Sequence, residues 1–311
     1  MRFSALRARC CSCKNSRHLQ NIDSSSGAIG SAVNRAIDVL VPIIANAPTD
    51  IPTRRKWLEQ LYQAHAEEEV PYIEILGDYW GELRASPELA AEWADCLAET
   101  VGANWNSTRE NHGFFHGTTM CLSALVTAGR HDQLFALLEK APYLSWSYRQ
   151  WGVKAFAAMG KNADALRYAE ASQGLNVPFE HIAETCEAIL LPSGQTDEAY
   201  QRYAFAANQS GTYLATFRAI CRKYPGKKAE AILNDLVAST PGEEGKWFAA
   251  AKGAKLYDLA LKLAQKSPVD HRTLIRTAEE FAETEPFFAL NSGLSALYWR
   301  FTGSVPAVVT K

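Results

Sequence analysis

Two histidines four residues apart follow an acid in Glu110-Asn111-His112-Gly113-Phe114-Phe115-His116. On one helix face such a pair can ligate a metal ion. Gly113 and the polar stretch before it read instead as a loop or helix entrance, and the Glu-between-histidines signature of zinc hydrolases is absent. Cys10 and Cys13 have C-x-x-C spacing, with His18 as a third candidate ligand. A closed zinc site needs four ligands, and no second pair follows at finger spacing. No metal or other cofactor is therefore expected, and Cys10, Cys13, His18, His112 and His116 are the residues that would hold one.

Charge supplies the other chemistry. Arg218, Arg222, Lys223, Lys227 and Lys228 gather at one helical hairpin. Such a corner can hold a carboxylate or phosphate, although cations are also favoured at a helix C-terminus by its dipole. Tyr143, Trp146, Tyr148 and Trp151 form the densest aromatic cluster, with Tyr148 and Arg149 expected to face outward. Glycine-rich phosphate loops are missing, as is the Gly-x-Ser-x-Gly elbow of hydrolases. Carboxylates are many, but runs such as Glu67-Glu68-Glu69 read as solvated helix ends.

The elements that must position these residues are helical. The phrase Ala157-Ala158-Met159-Gly160-Lys161-Asn162-Ala163-Asp164-Ala165-Leu166 comes back along the chain. Gly129 precedes Leu134 and Phe135 by five and six residues, Gly194 precedes Ala199 and Tyr200, and Gly226 precedes Ala231 and Ile232. Gly253 precedes Ala260 and Leu261 with extra residues inserted. A period of thirty-odd residues marks stacked helix pairs. Each glycine suits a left-handed residue closing a helix, and the small or large apolar residue five or six positions on packs the next helix against it. Helix pairs are expected at about 116–140, 145–174, 178–208, 211–239, 244–266 and 269–302, after helices at 31–46, 52–68, 71–84 and 87–103. Starts are marked by Ser86-Pro87-Glu88, Thr240-Pro241-Gly242-Glu243 and Ser267-Pro268-Val269-Asp270. No alternating strand pattern occurs. The expectation is an all-α chain, an α-solenoid of about 15–16 helices.

The Gly-x4-Ala-[Leu/Ile] phrase resembles the turn of tetratricopeptide repeats over roughly residues 116–266, without the Trp-x2-Leu-Gly-x2-Tyr of the strict repeat. Gly211-Thr212-Tyr213-Leu214-Ala215 through Leu256-Tyr257-Asp258-Leu259-Ala260 is also similar to bacterial helical-repeat proteins of uncharacterised function. The resemblance implies a fold and no activity. In a tetratricopeptide-like arrangement the first helix of each pair lines the binding surface, which would present Arg149, Arg218, Arg222 and Lys246.

Composition is that of a globular chain: 47% hydrophobic and 21% charged residues among 311, with a net charge of -2. Residues 1–29 hold five of the basic side chains and one acid, which leaves 27 basic against 33 acidic residues, a net of -6, in the body. They read as a disordered leader, or alternatively as an organelle-targeting segment. The remaining divisions are an N-terminal helical region at 30–110, a repeat region at 111–303 and a tail at 304–311. The longest stretch without Asp, Glu, Lys or Arg, from Asn111 to Gly129, carries two His and several Gly and is no membrane span. Seven cysteines, an odd number set mostly singly in apolar stretches, point to free thiols in a reducing compartment, hence the cytoplasm.

The function expected is a protein-protein interaction scaffold holding an acidic peptide or partner protein. A helical enzyme, metal-dependent through His112 and His116, is the alternative. RNA binding by helical repeats is a third reading, against which stand the acidic body and single basic corner; no nucleic acid or membrane partner is expected. In the last helix, Leu290, Leu294, Leu297 and Phe301 form one apolar stripe, with Phe288 and Trp299 off its centre. Trp299 is therefore the candidate contact for a homodimer through this helix.

Overall fold

The computed structural model describes residues 27–67, 72–106, 115–174 and 177–301. The leader up to residue 26, the tail 304–311, the boundary near residue 110, and Cys10, Cys13, His18 and His112 lie outside these residues. Among the described residues there are seventeen α-helices, two 3₁₀ helices and no strand; the fold is all-α. The chain divides into two compact units, one ending at Ser172 and the other beginning at Gln173.

The first unit contains α1 (Ala28–Asn46), α2 (Ile51–Ala66), a 3₁₀ turn (Glu74–Gly77), α3 (Trp80–Leu83), α4 (Pro87–Trp105), α5 (Thr118–Thr127), α6 (His131–Leu138), α7 (Trp146–Ala158) and α8 (Asn162–Glu170). Its centre is α5, whose Met120, Cys121, Leu122, Ala124 and Leu125 are all fully buried. A helix apolar on every side must be enclosed, and α3, α4, α6 and α7 pack around it. Gly81 lets α3 approach α5 closely: its N–H donates to Ser123 Oγ at 2.9 Å, and a Cβ there would fall 2.0 Å from Thr127 Oγ1. Buried Arg54 bonds the carbonyls of Ile44 and Ala47 at 3.0 and 2.7 Å and that of Leu83 at 3.1 Å. It thereby closes the C-terminal end of α1, where carbonyls lack helical partners.

By length and composition α1 is apolar enough to cross a bilayer, a feature that a search for uncharged stretches overlooks because Arg35 and Asp38 lie within it. In this fold it packs on α3 and the 3₁₀ turn and buries Ile37 and Val41. Asp38 accepts from Tyr79 O–H at 2.8 Å, which pushes the Tyr79 phenol up to about 12.

The second unit contains α9 (Phe179–Leu190), α10 (Thr196–Arg202), α11 (Ala204–Ala207), α12 (Tyr213–Lys223), α13 (Ala229–Ser239), a 3₁₀ turn (Glu244–Trp247), α14 (Phe248–Gly253), α15 (Tyr257–Lys266), α16 (His271–Phe281) and α17 (Pro286–Phe301). Its polar centre is Glu187, 1% exposed. Glu187 accepts from Asn208 Nδ2 at 2.8 Å, Tyr224 O–H at 2.7 Å and Lys223 Nζ at 2.5 Å. This ties α9 to the segments bearing α11 and α12, and burial with the Glu187 bond pushes the Tyr224 phenol far up.

The repeating turn is real, with a shift at its end. At Gly129, Gly160 and Gly194 φ is +69°, +72° and +75°. Each glycine N–H bonds the carbonyl three residues back, and the next N–H bonds the carbonyl five back, as in Arg130 to Leu125, Lys161 to Phe156 and Gln195 to Leu190 at 2.9 to 3.1 Å. This paired bonding satisfies the last carbonyls of each helix. The fourth such turn sits at Lys255, φ +60°, with Leu256 N–H on Ala251; Gly253 is the last residue of α14. Counted from Lys255, Ala260 and Leu261 stand at five and six, so no residues are inserted. Leu134, Ala165, Ala199 and Ala260 are all fully buried at the fifth position. The Gly226 hairpin departs: it lacks the left-handed residue, and its buried pair is Ile232 and Leu233, one place later.

Helix starts match their caps at Ser86, which accepts from Leu89 N at 3.2 Å. In Ser267-Pro268-Val269-Asp270 the cap is Asp270, accepting from Thr273 N at 3.0 Å. Thr240 caps nothing: its hydroxyl donates to Leu236 O at 3.1 Å and accepts from Trp247 Nε1 at 2.7 Å. A left-handed Gly242 follows, with φ +87°, and leads into a 3₁₀ turn because Trp247 pulls the strip back onto α13.

The last helix lies with its stripe outward. Phe288, Asn291, Ser292, Ser295 and Ala296 are buried, and Phe288 stacks on Phe248. Leu290, Leu297 and Phe301 are exposed. The helix packs on α16 and α15, and a Cβ at Gly293 would lie 3.7 Å from Ala278 Cβ, in ordinary contact.

Candidate functional site

Within the second unit, α11, α12, α13 and the 3₁₀ turn Glu244–Trp247 enclose a cleft of about 430 Å³. Phe205, Leu236 and Trp247 supply apolar wall. Its polar groups are Gln209, Ser210, Tyr213, Thr216, Ser239, Thr240 and Glu243.

Local chemistry fixes these walls. Tyr203, with φ -129° and ψ -23°, breaks the helix between α10 and α11. The break swings Phe205 to the cleft, where its ring meets Tyr200 edge-on at 5.7 Å. Asn208 then holds the end of α11 through Ala204 O at 2.7 Å. Thr212 caps α12 by accepting from Ala215 N at 3.2 Å, and Thr216 Oγ1 accepts from Ser210 N at 3.0 Å. On the other wall, Gly245 N–H donates to Ser267 Oγ at 2.7 Å. A Cβ at Gly245 would fall 2.2 Å from Ser267 O, so only glycine lets the 3₁₀ turn lie this close.

The mouth is an aromatic pair bound to an ion pair. Tyr213 and Trp247 meet edge to face at 4.7 Å. Glu243 accepts from both Tyr213 O–H and Lys246 Nζ. Lys246 first, and then Tyr213, hold the Glu243 carboxyl below the usual carboxylate range; Glu243 in turn raises the phenol of Tyr213. The carboxylate stays charged and Lys246 balances it. Ser239 and Thr240 hydroxyls donate to Leu236 O, so neither is poised as a nucleophile. What the cleft offers is an aromatic wall, hydrogen bonds and a compensated charge.

The residues singled out in the sequence are dispersed. In the first unit Tyr148 is half-buried against Trp105, with ring centroids 5.2 Å apart. Arg149 Nε donates to Ser172 Oγ at 3.0 Å and its guanidinium lies 3.8 Å over the Tyr168 ring. In the second unit Lys246 sits at the cleft mouth. Arg218 lies on the other flank of α12, about 140° around the helix from Tyr213 at 3.6 residues per turn. A Cβ at Gly253 would be 4.0 Å from Arg218 Nη2. Arg222 is exposed one turn on. The rest of the basic corner is partly spent within the chain: Lys223 pairs with Glu187 and Lys227 with Asp197 at 3.3 Å. Trp299 is half-buried and donates Nε1–H to Ala264 O at 2.7 Å. His116 sits edge-on to buried His65, ring centroids 5.7 Å apart. Among the described residues no three of His, Cys, Asp and Glu gather as a metal site.

The cleft residues Phe205, Gln209, Ser210 and Thr216 carry no motif. The one hint is Tyr203-Ala204-Phe205-Ala206-Ala207-Asn208-Gln209-Ser210-Gly211, where a helical pattern ends in polar residues before a capped start. No family model, curated protein or solved structure matches the chain.

Proposed function

We propose that the chain is a tetratricopeptide-like helical-repeat scaffold that binds a peptide of a partner protein, and that the cleft of the second unit is the seat. The observation that carries this reading is the aromatic-walled cleft between successive helices, with hydrogen-bonding groups held at its rim by contacts of their own. Such a groove suits an extended peptide with one apolar side chain inserted beside Phe205 and Trp247, the anchoring mode in which most interface energy resides. Because Lys246 is balanced by Glu243, the cleft itself has no preference for acidic peptides; an acidic flank of the partner would have to reach Arg218 and Arg222 on the other side of α12. Among the described residues Cys96, Cys121, Cys186 and Cys221 form no disulfide, as a reducing, cytoplasmic setting would have it.

The test is selection of displayed random peptides on the full chain, followed by titration into wild type and Phe205→Glu. Selected peptides are expected to lose at least about tenfold in affinity on the variant, with its helical circular dichroism unchanged. Peptides that bind both proteins equally overturn the assignment.

A further inference from the structure

The C-terminal hairpin carries a second surface that the cleft does not explain. Ile275 on α16 and Leu290, Leu294, Leu297 and Phe301 on α17 line one shallow groove, rimmed by Glu279 and Arg300. Ile275 is 41% exposed, Leu290 53%, Leu297 58% and Phe301 75%. Contiguous apolar surface of this kind marks an interaction site. We infer that the groove pairs with the same groove of a second copy of this chain, in antiparallel register about a two-fold axis.

The charges set that register. Gly293 and Ala278 lie level with each other across the hairpin. The helices run antiparallel with equal rise per residue, so Glu279 is level with residue 292 and Ile275 with residue 296. Arg300 therefore lies about 12 Å further along the hairpin than Glu279, at 1.5 Å per residue, too far for the two to meet within one chain. A two-fold axis crossing the groove at the level of Ile275 and Ala296 brings Glu279 of each copy level with Arg300 of the other. The same operation stacks Ile275 on its own copy at the centre, sets Leu294 of each copy within about one residue of Leu297 of the other, and sets Leu290 opposite Phe301. Parallel stacking would leave Glu279 level with residue 292 of the other copy, about 12 Å from Arg300, the only base of α17. A self-complementary patch of this kind is what an isologous dimer requires.

The size is adequate for a reversible dimer. Sixteen helical residues span about 24 Å, and two helices side by side are about 20 Å wide. The face thus covers on the order of 500 Å² per copy in flat projection, near the lower bound of about 1,000 Å² in total for a specific interface. Association in the micromolar range is expected, with the rim charges setting orientation more than affinity.

Sedimentation velocity on the full chain from about 1 to about 100 µM tests this. Wild type is expected to shift from monomer to dimer across that range, and Leu297→Glu to stay monomeric. Glu279→Arg places arginines level with arginines and is expected to weaken association by at least about tenfold. Glu279→Arg combined with Arg300→Glu is expected to restore it, because the swap recreates both pairs. Circular dichroism on every variant separates loss of pairing from loss of fold. A wild type that stays monomeric, whether its face is open or covered by its own residues 302–311, overturns the inference, and so does a double swap that folds but fails to regain the dimer.

Discussion

The left-handed turns make a prediction whose sign differs between two glycines of the same sequence phrase. At Gly194 φ is +75° and no atom lies within 4 Å of where a Cβ would stand. An alanine there meets no clash, so its cost is purely of the backbone. A non-glycine residue in this region loses about 1–2 kcal/mol, offset by about 0.4–1 kcal/mol because alanine restricts the unfolded chain. Gly194→Ala should therefore destabilise by about 0.5–1.5 kcal/mol. Gly226 also has open space around its Cβ position but no positive φ. Gly226→Ala should thus stabilise by about 0.4–1 kcal/mol through the unfolded state alone. Lys255 occupies the left-handed position without being glycine, and Lys255→Gly should gain about 0.5–1 kcal/mol. All three lie in the second unit, so one urea-unfolding transition followed by tryptophan fluorescence reads them on one scale. Equal costs for the alanine variants at Gly194 and Gly226, or a loss on Lys255→Gly, would refute the assignment of the turns.

Two further outcomes are expected. Glu187→Ala leaves Asn208 and Tyr224 with lost partners in the interior, at about 1–3 kcal/mol each, and should destabilise by about 2–5 kcal/mol in urea, while Glu187→Gln, which can still accept both bonds, should cost less; equal small losses would show that the network contributes little. Burial holds the His65 imidazole below its ordinary value of 6.5, with His116 adding to the shift. The unfolded chain therefore binds more protons between the two values, and stability should fall as pH drops below about 6.5, measurably so in thermal melts, and less in His65→Leu; identical pH profiles for the two proteins would remove His65 as the cause.

How much was legible follows from what each feature depends on. The helices and three left-handed glycines are local: an apolar run, a glycine and an apolar pair five and six residues on are enough to place them. The fourth turn was misplaced because a lysine occupies the position that the glycine pattern assigns to Gly253, and sequence gives no warning when strain is tolerated. The orientation of α17 was not readable from apolarity, since its leucines point outward and its serines inward. Packing on α15 and α16 decides that, and it is a tertiary fact. The same holds for buried Arg84, set against the rings of Trp80 and Trp93 at 5.2 and 5.6 Å, where burial pushes its guanidinium down to about 8; in sequence it is one more surface arginine. The cleft depends on a helix break at Tyr203 and on a 3₁₀ turn pulled in by Trp247 and Gly245, whose partners are 7 and 22 residues away.

The scaffold reading is tested most directly by amide hydrogen exchange of the full chain, measured with and without a peptide selected on it. Bound peptide is expected to slow exchange in 203–216 and 236–247, the two walls of the cleft, and to leave α1 and α17 at their free rates. Protection confined to α1 or α17, or none at saturating peptide, would contradict it.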